Sequence, residues 1–323
     1  MMYPLKFAPI FKQTIWGGDK INQLKRISNG LPSVGESWEI SAVEGAESVV
    51  VNGAYKGYTL PRLIKLLKED LVGSDNYARF GNKFPLLVKF IDAHDDLSVQ
   101  VHPDDSLAMK RHHSLGKTEM WYVLQADVDA KLIAGFSRKI NPQQYREMVA
   151  DGSFTDALQS YHVKEGDVYY IPAGRVHSLG KGTMVVEVQE TSDVTYRIFD
   201  YNRKDKDGNT RTLHVAQAAD AIDFEDIAGE AKIGYQIVDN EPIELVSSPR
   251  FITSVYHLTE TIECDYTDLD SFVILVCTAG SCQIVDGETV ETILAGESIL
   301  LAATTHEIKL VPDGEATLLE VYT

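Results

Sequence analysis

The sequence predicts a mainly β chain built as two barrels, with short helical insertions in the first. Three observations lead there. Helical signals are few and short, apolar runs of strand length recur between Gly, Asp and Asn clusters, and a stretch near residue 170 is echoed near residue 300. Many short strands punctuated by turn residues describe a sandwich or barrel rather than a helical or alternating fold.

Taken in chain order, Thr59-Leu60-Pro61 opens a helix carrying Leu63, Ile64, Leu66 and Leu67 and ending before Gly73. Threonine caps a helix start well, and proline fits its first turn. Strands are expected at 85–91 and 97–101, and Asp104-Asp105 caps a short helix through Met109. A strand at 118–124 precedes a helix that opens at Asn141-Pro142 and passes Tyr145 and Met148 to Gly152. Strands at 167–171 and 183–188, a helix at 214–222, and strands at 272–277 and 298–301 complete the pattern.

The echo pairs Lys164-Glu165-Gly166-Asp167-Val168-Tyr169-Tyr170-Ile171-Pro172-Ala173 with Leu294-Ala295-Gly296-Glu297-Ser298-Ile299-Leu300-Leu301-Ala302-Ala303. Each is glycine, acidic residue, apolar strand and small-residue turn, and His177 and His306 follow at matching distances. The linker falls between Gly229 and Pro249, with the break at Asn240-Glu241-Pro242, giving units 1–240 and 241–323. A length of 323 residues agrees with two domains at about 150 residues each.

Lys and Arg number 30 against 48 Asp and Glu, a net charge of −18. Such a surface disfavours nucleic acid and anionic membranes, so an anionic ligand would need a local cluster of cations. No apolar run is long enough to span a bilayer, and the first residues lack a leader pattern, which points to the cytoplasm. The cysteines are Cys264, Cys277 and Cys282. Thr278 to Ser281 reads as a turn between the last two, but an odd count in a chain of this size favours free thiols.

The chemistry concentrates in three places. In Leu97-Ser98-Val99-Gln100-Val101-His102-Pro103, strand alternation puts Ser98, Gln100 and His102 on one face and the aliphatics on the other. Pro103 lacks the N–H to continue the ladder. In Lys117-Thr118-Glu119-Met120-Trp121, the face is Lys117, Glu119 and Trp121, and in Pro172-Ala173-Gly174-Arg175-Val176-His177 a histidine follows a strand and a tight turn. Singly, each reads as an ordinary hydrogen-bonded side chain. Together, two imidazoles, a carboxylate and an amide oxygen form a mixed N/O set suited to a divalent ion such as Zn2+.

This order resembles the cupin superfamily, whose second motif has the form Gly166-Asp167…Pro172-Ala173-Gly174…His177 here. The resemblance implies jelly-roll, double-stranded β-helix barrels. It narrows to type I mannose-6-phosphate isomerases through Trp16-Gly17-Gly18, Gly35-Glu36-Ser37-Trp38-Glu39-Ile40-Ser41, residues 85–89, 98–103 and 116–122, and Thr195-Tyr196-Arg197-Ile198-Phe199-Asp200. The match runs from about residue 3 to 320, in the compact bacterial form. It implies one zinc per chain on Gln100, His102, Glu119 and His177, a catalytic Arg197, and a sugar-phosphate pocket lined by Lys89, Ser98, Lys117 and Trp16. In the second unit, Cys277 to Gln283 stands where a ligand motif would be, so His306 lacks partners and this barrel is expected to hold no metal and to buttress the first.

The implied reaction interconverts mannose 6-phosphate and fructose 6-phosphate through a cis-enediol. The partner is thus a small sugar phosphate, with the chain a monomer or weak homodimer. Metal and Arg197 would stabilise charge on the sugar oxygens. The base stays open among a hydroxide on zinc, Glu190, Asp200 and a lysine of lowered pKa. Without the resemblance, Arg197 reads as a salt bridge to Asp193 or Asp200, and Arg203 and Lys204 as solvated loop charges. Two alternatives keep the barrel: isomerisation of another sugar phosphate such as glucose 6-phosphate, and a non-catalytic sugar-phosphate sensor, which would need a DNA-binding or partner domain, whereas no basic helix-turn-helix segment is read in the sequence.

Overall fold

The computed structural model describes residues 2–28, 30–204, 207–226 and 231–323, and it is mainly β. The expected linker start at Gly229 lies outside the described residues. One seven-stranded sheet runs in the order Ile10–Gly18, Val34–Ile40, Leu86–Ala93, Thr183–Glu190, Glu119–Ala126, Val168–Ile171 and Lys232–Ile233. Leu86–Ala93 and Thr183–Glu190, side by side within it, are buried at every residue. That is why both read as near-continuous apolar runs.

A five-stranded sheet, ordered Tyr196–Phe199, Val99–Val101, His177–Leu179, Lys131–Phe136 and Leu158–His162, covers one face of the first. Trp16, Ile91, Trp121, Tyr169 and Val185 from the seven-stranded sheet share a core with Leu132, Ala134 and Leu179 from the five-stranded one. Strand alternation turns Val88, Phe90, Val186 and Val188 to the opposite face. There they join Leu60, Leu63 and Ile64 of the Leu60–Leu67 helix, and Phe272, Ile274, Val276, Leu319 and Val321. Of the last five, Ile274, Val276, Leu319 and Val321 belong to a separate seven-stranded sheet formed by residues 243–322, and Phe272 immediately precedes its Val273–Asp286 strand. Phe84 and Phe272, 4.5 Å apart by ring centroids, mark this seam.

Local expectations meet the structure with three differences. Asn141 does cap the Pro142–Asp151 helix, with Gln144 completing a capping box and Gly152 ending it at φ 83°. The helix expected up to Gly73, however, breaks at Lys68, whose φ of 51° separates Leu60–Leu67 from Glu69–Val72. The turn expected between Cys277 and Cys282 is instead part of one strand, Val273–Asp286. Its ladder to Glu307–Tyr322 shifts register on both sides of Gly280, which has φ 72° and whose missing Cβ would sit 2.0 Å from the Glu315 carbonyl oxygen. The turn-like composition therefore encodes bulges, which need a residue tolerant of positive φ. Cys264, Cys277 and Cys282 are free and buried. Third, Arg203 is not a solvated charge but pairs with buried Asp200 and donates to the Asp96 carbonyl. Among the described residues, no helix is long and apolar enough to cross a membrane.

Candidate metal centre and substrate cavity

Cross-strand register assembles the inner face. Lys89 lies opposite Trp38 on one side and Glu187 on the other, Glu187 lies opposite Trp121, and Trp121 opposite Tyr169. On the facing sheet, Gln100 is the register partner of both His177 and Arg197. His102 follows one residue after the Val99–Val101 strand, its carbonyl tied to the Gly174 N–H at 3.0 Å. Ligand-type residues far apart in the chain are thereby brought to one place by sheet pairing.

His102, Glu119 and His177 are all buried, and their potential ligand atoms lie within 4.8 Å of one another. His102 Nε2 is 3.5 Å from Glu119 Oε2, and His177 Nε2 is 3.4 Å from Glu119 Oε1. Each histidine directs Nδ1 at a backbone carbonyl: Val194 at 2.9 Å and Arg175 at 2.9 Å. A carbonyl only accepts, so Nδ1 carries the proton and each Nε2 presents a lone pair to the carboxylate. Burial, the largest influence, holds both imidazoles below their ordinary range, His177 to about 4. Glu119 Oε1 is buried and accepts no hydrogen bond. The His177 lone pair thus faces an unsatisfied carboxylate oxygen, with the His102 lone pair beside the other oxygen of the same carboxylate, and a cation is the group that such a set fits. Gln100 Nε2 stands 3.3 Å from His177 Nε2, so a half-turn of its amide brings its oxygen to the same place.

Two lysines and a further carboxylate sit beside this cluster. Lys117 Nζ contacts Glu119 Oε2, lies 3.3 Å from His102 Nε2 and 3.6 Å from Glu187 Oε1. Lys89 Nζ is 3.4 Å from Glu36 and 3.4 Å from Glu187. Burial works against the charge of Lys89, but Glu36 and Glu187 overrule it and raise its pKa. Burial and then Glu187 push Glu119 upward against the pull of Lys117. At Glu187, burial is outweighed by Lys117 and Lys89, which hold it down and ionised.

The space enclosed is a cavity of about 990 Å3 whose lining includes Trp16, Lys89, Ser98, Gln100, Lys117 and Arg197. Trp16 reaches it because the Ile10–Gly18 strand leaves its ladder between Gln13 and Gly18. Ser98 donates to Gln100 Oε1 at 3.3 Å. Arg197 is half-buried, gives Nη1 to the Thr212 carbonyl at 2.9 Å, and has a buried Nε without a partner. It makes no salt bridge to Asp193 or Asp200. Asp200 accepts instead from Arg203 and Arg211, and Arg211 joins Arg197 in the lining. Glu190 spends Oε2 on the Thr118 N–H at 2.8 Å and faces Arg250 with Oε1. Neither Glu190 nor Asp200 is among the residues that line the cavity. His306 is exposed and gives its carbonyl to the Tyr266 N–H at 2.6 Å.

Sequence reasoning missed Glu187, Glu36 and Arg211. For Glu187 a usable sign existed: a lone charge in the apolar run Met184-Val185-Val186-Glu187-Val188 is costly to bury unless it is paired. Arg211 lies in a polar loop stretch that looks solvated, and nothing in its local pattern marks it.

Residues 4–133 match the family model described as phosphomannose isomerase type I, catalytic domain. A mannose-6-phosphate isomerase of Streptococcus mutans is 36% identical over 310 residues, covering 94% of each chain. Mannose-6-phosphate isomerase ManA of Bacillus subtilis is 35% identical over 311 residues, covering 95% of each. Among solved structures, the crystal structure of the mannose 6-phosphate isomerase from Bacillus subtilis superposes with a TM-score of 0.90 at 30% identity over the whole of both chains.

Proposed function

The chain belongs to the type I mannose-6-phosphate isomerase family, and from that premise we propose that it interconverts mannose 6-phosphate and fructose 6-phosphate through a cis-enediol, with one Zn2+ per chain held by Gln100, His102, Glu119 and His177. The observation that carries this reading is the buried His102–Glu119–His177 cluster beside Lys89, Lys117 and Arg197 in one cavity. When bound, the metal supplies Lewis acidity at the sugar oxygens O1 and O2.

The chain's own groups do the rest. Arg197 keeps a permanent positive charge at the cavity wall and meets the negative charge that builds on the sugar oxygens while a base takes the proton from one of C2 and C1 and returns it to the other. Its Nε is buried and has no hydrogen-bond partner. Lys117, between Glu119 and the cavity, moves protons between O1 and O2, while Glu187 stays ionised and aims Lys117 and Lys89. Lys89, Ser98 and Trp16 line the berth for the sugar phosphate. Residues 1–240 form the catalytic domain and 241–323 a cupin-like domain that buttresses it. The enzyme works in the cytoplasm as a monomer or weak homodimer, without nucleic acid or membrane partners.

A coupled assay on mannose 6-phosphate and glucose 6-phosphate, with proton exchange at C2 followed in deuterated water, tests the reading. It predicts turnover and exchange with mannose 6-phosphate and far weaker activity on its C2 epimer. Equal or greater activity on glucose 6-phosphate contradicts the substrate, and tight binding without exchange contradicts the chemistry.

A further inference from the structure

The segment that carries Lys117 to the cavity and Glu119 to the buried His102–His177 cluster is gripped by two carboxylates, and one side chain from the 243–322 region holds both. Asp105 Oδ1 accepts the Gly116 N–H at 2.7 Å, and Glu190 Oε2 accepts the Thr118 N–H at 2.8 Å. The Glu190 N–H donates back to the Thr118 carbonyl at 3.0 Å. Gly116 and Thr118 are thus held through their backbones by side chains, and the Lys117 N–H by the Pro103 carbonyl at 3.2 Å.

Arg250 joins the two clamps. Its Nη2 pairs with Asp105 Oδ2, and its Nε lies 3.4 Å from Glu190 Oε1. It projects from a tight hairpin between the Ile243–Ser247 and Ile252–Leu258 strands. There Ser248 Oγ accepts the N–H groups of Arg250 at 3.2 Å and Phe251 at 3.1 Å, Pro249 restricts the backbone, and Phe251 is buried. The guanidinium is therefore presented from a fixed base, and its planar fork suits two carboxylates at once, which a lysine ammonium does not.

We infer that Arg250 is a positioning residue for the metal centre: it locks Asp105 and Glu190 against Gly116 and Thr118, and so sets where Glu119 and Lys117 stand. The inference rests on the reading of Glu119 as a metal ligand. It gives the 243–322 sheet a part in the chemistry without any ligand of its own. Outer partners that orient ligands are worth about 10–100-fold in metal affinity, and a displacement near 1 Å is worth about 100-fold in rate.

The test compares the full-length chain with Arg250→Ala, Arg250→Lys and, as control, Lys6→Ala. Lys6 also reaches the 243–322 sheet, through Glu297 at 3.0 Å, but touches no part of the 116–119 segment. Three readouts are taken: zinc affinity by chelator competition, kcat and KM separately, and amide exchange of residues 113–122 in the metal-free chain. Arg250→Ala is expected to weaken zinc binding and lower kcat by about tenfold or more, leave KM within about threefold, and speed exchange at Thr118. Arg250→Lys falls between, and Lys6→Ala matches the unaltered chain. Zinc affinity and exchange that are the same in Arg250→Ala and Lys6→Ala overturn the inference. If Arg250→Ala does not fold, Arg250→Lys decides on the same comparison. A chain without isomerase activity defeats the proposed function, while affinity and exchange still decide the role of Arg250.

Discussion

Trp121 Nε1 donates to Glu187 Oε2 at 2.8 Å across neighbouring strands, and this bond fixes the carboxylate that serves both cavity lysines. The other oxygen lies 3.4 Å from Lys89 Nζ and 3.6 Å from Lys117 Nζ. Two cations can therefore point into one cavity because a single buried anion stands between them.

Glu187→Gln removes that anion and leaves Lys89 with Glu36 alone and Lys117 with Glu119 alone. Breaking a buried ion pair from one side costs about 3–5 kcal/mol, so urea unfolding should show a loss of this order, together with a clear fall in activity. Trp121→Phe removes only the donor and should cost about 1–3 kcal/mol. A Glu187→Gln chain as stable as the parent would show that the lysines do not depend on it.

Replacing either His102 or His177 by Ala removes an Nε2 lone pair from the cluster. Elemental analysis of the purified variants should find metal occupancy sharply reduced, with the strand content by circular dichroism retained. Full occupancy in both variants would place the metal elsewhere.

Arg197→Lys keeps the charge but shortens the reach and removes the planar donor set. Metal content should be unchanged, and kcat should fall by about 100- to 1000-fold, the scale seen when a donor to a developing anion is removed. Unchanged kcat would take Arg197 out of the reaction.

Asp200 titrates with a definite sign. Burial alone would raise its pKa, but hydrogen bonds and charge from Arg211 and Arg203 win and hold it below the ordinary 3.8. A carboxylate depressed on folding stabilises the protein above its unfolded pKa, and the contribution fades as pH falls through the folded value. Asp200→Asn should therefore be less stable than the parent at pH 7, by about 1–3 kcal/mol for unpaired arginine donors, and the gap should close below about pH 4. Denaturant melts of both chains across that range measure it. A gap that widens in acid would reverse the assigned charge state.

Much of the site is legible in the sequence because strand alternation is a local rule. Gln100 and His102 two apart, Lys117 and Glu119 two apart, and His177 after a glycine turn each announce a shared face from neighbouring letters alone. What alternation does not state is which strand lies alongside. Glu187 acquires its meaning from register opposite Lys89 and Trp121, and Arg250 from a hairpin that meets Asp105 and Glu190 across the seam. The same gap explains the turn read at Thr278 to Ser281. Gly280 and its small neighbours look alike whether the chain reverses or merely bulges, and only the long partner strand Glu307–Tyr322 decides. Arg203 looks solvated until the fold supplies Asp200 and the Asp96 carbonyl.

The most direct test is the rate of fructose 6-phosphate formation from mannose 6-phosphate before exhaustive chelation, after it, and after adding back zinc. The rate should vanish on chelation and return with about one zinc per chain. Undiminished turnover by a chain shown to be metal-free would contradict a metal centre at His102, Glu119 and His177.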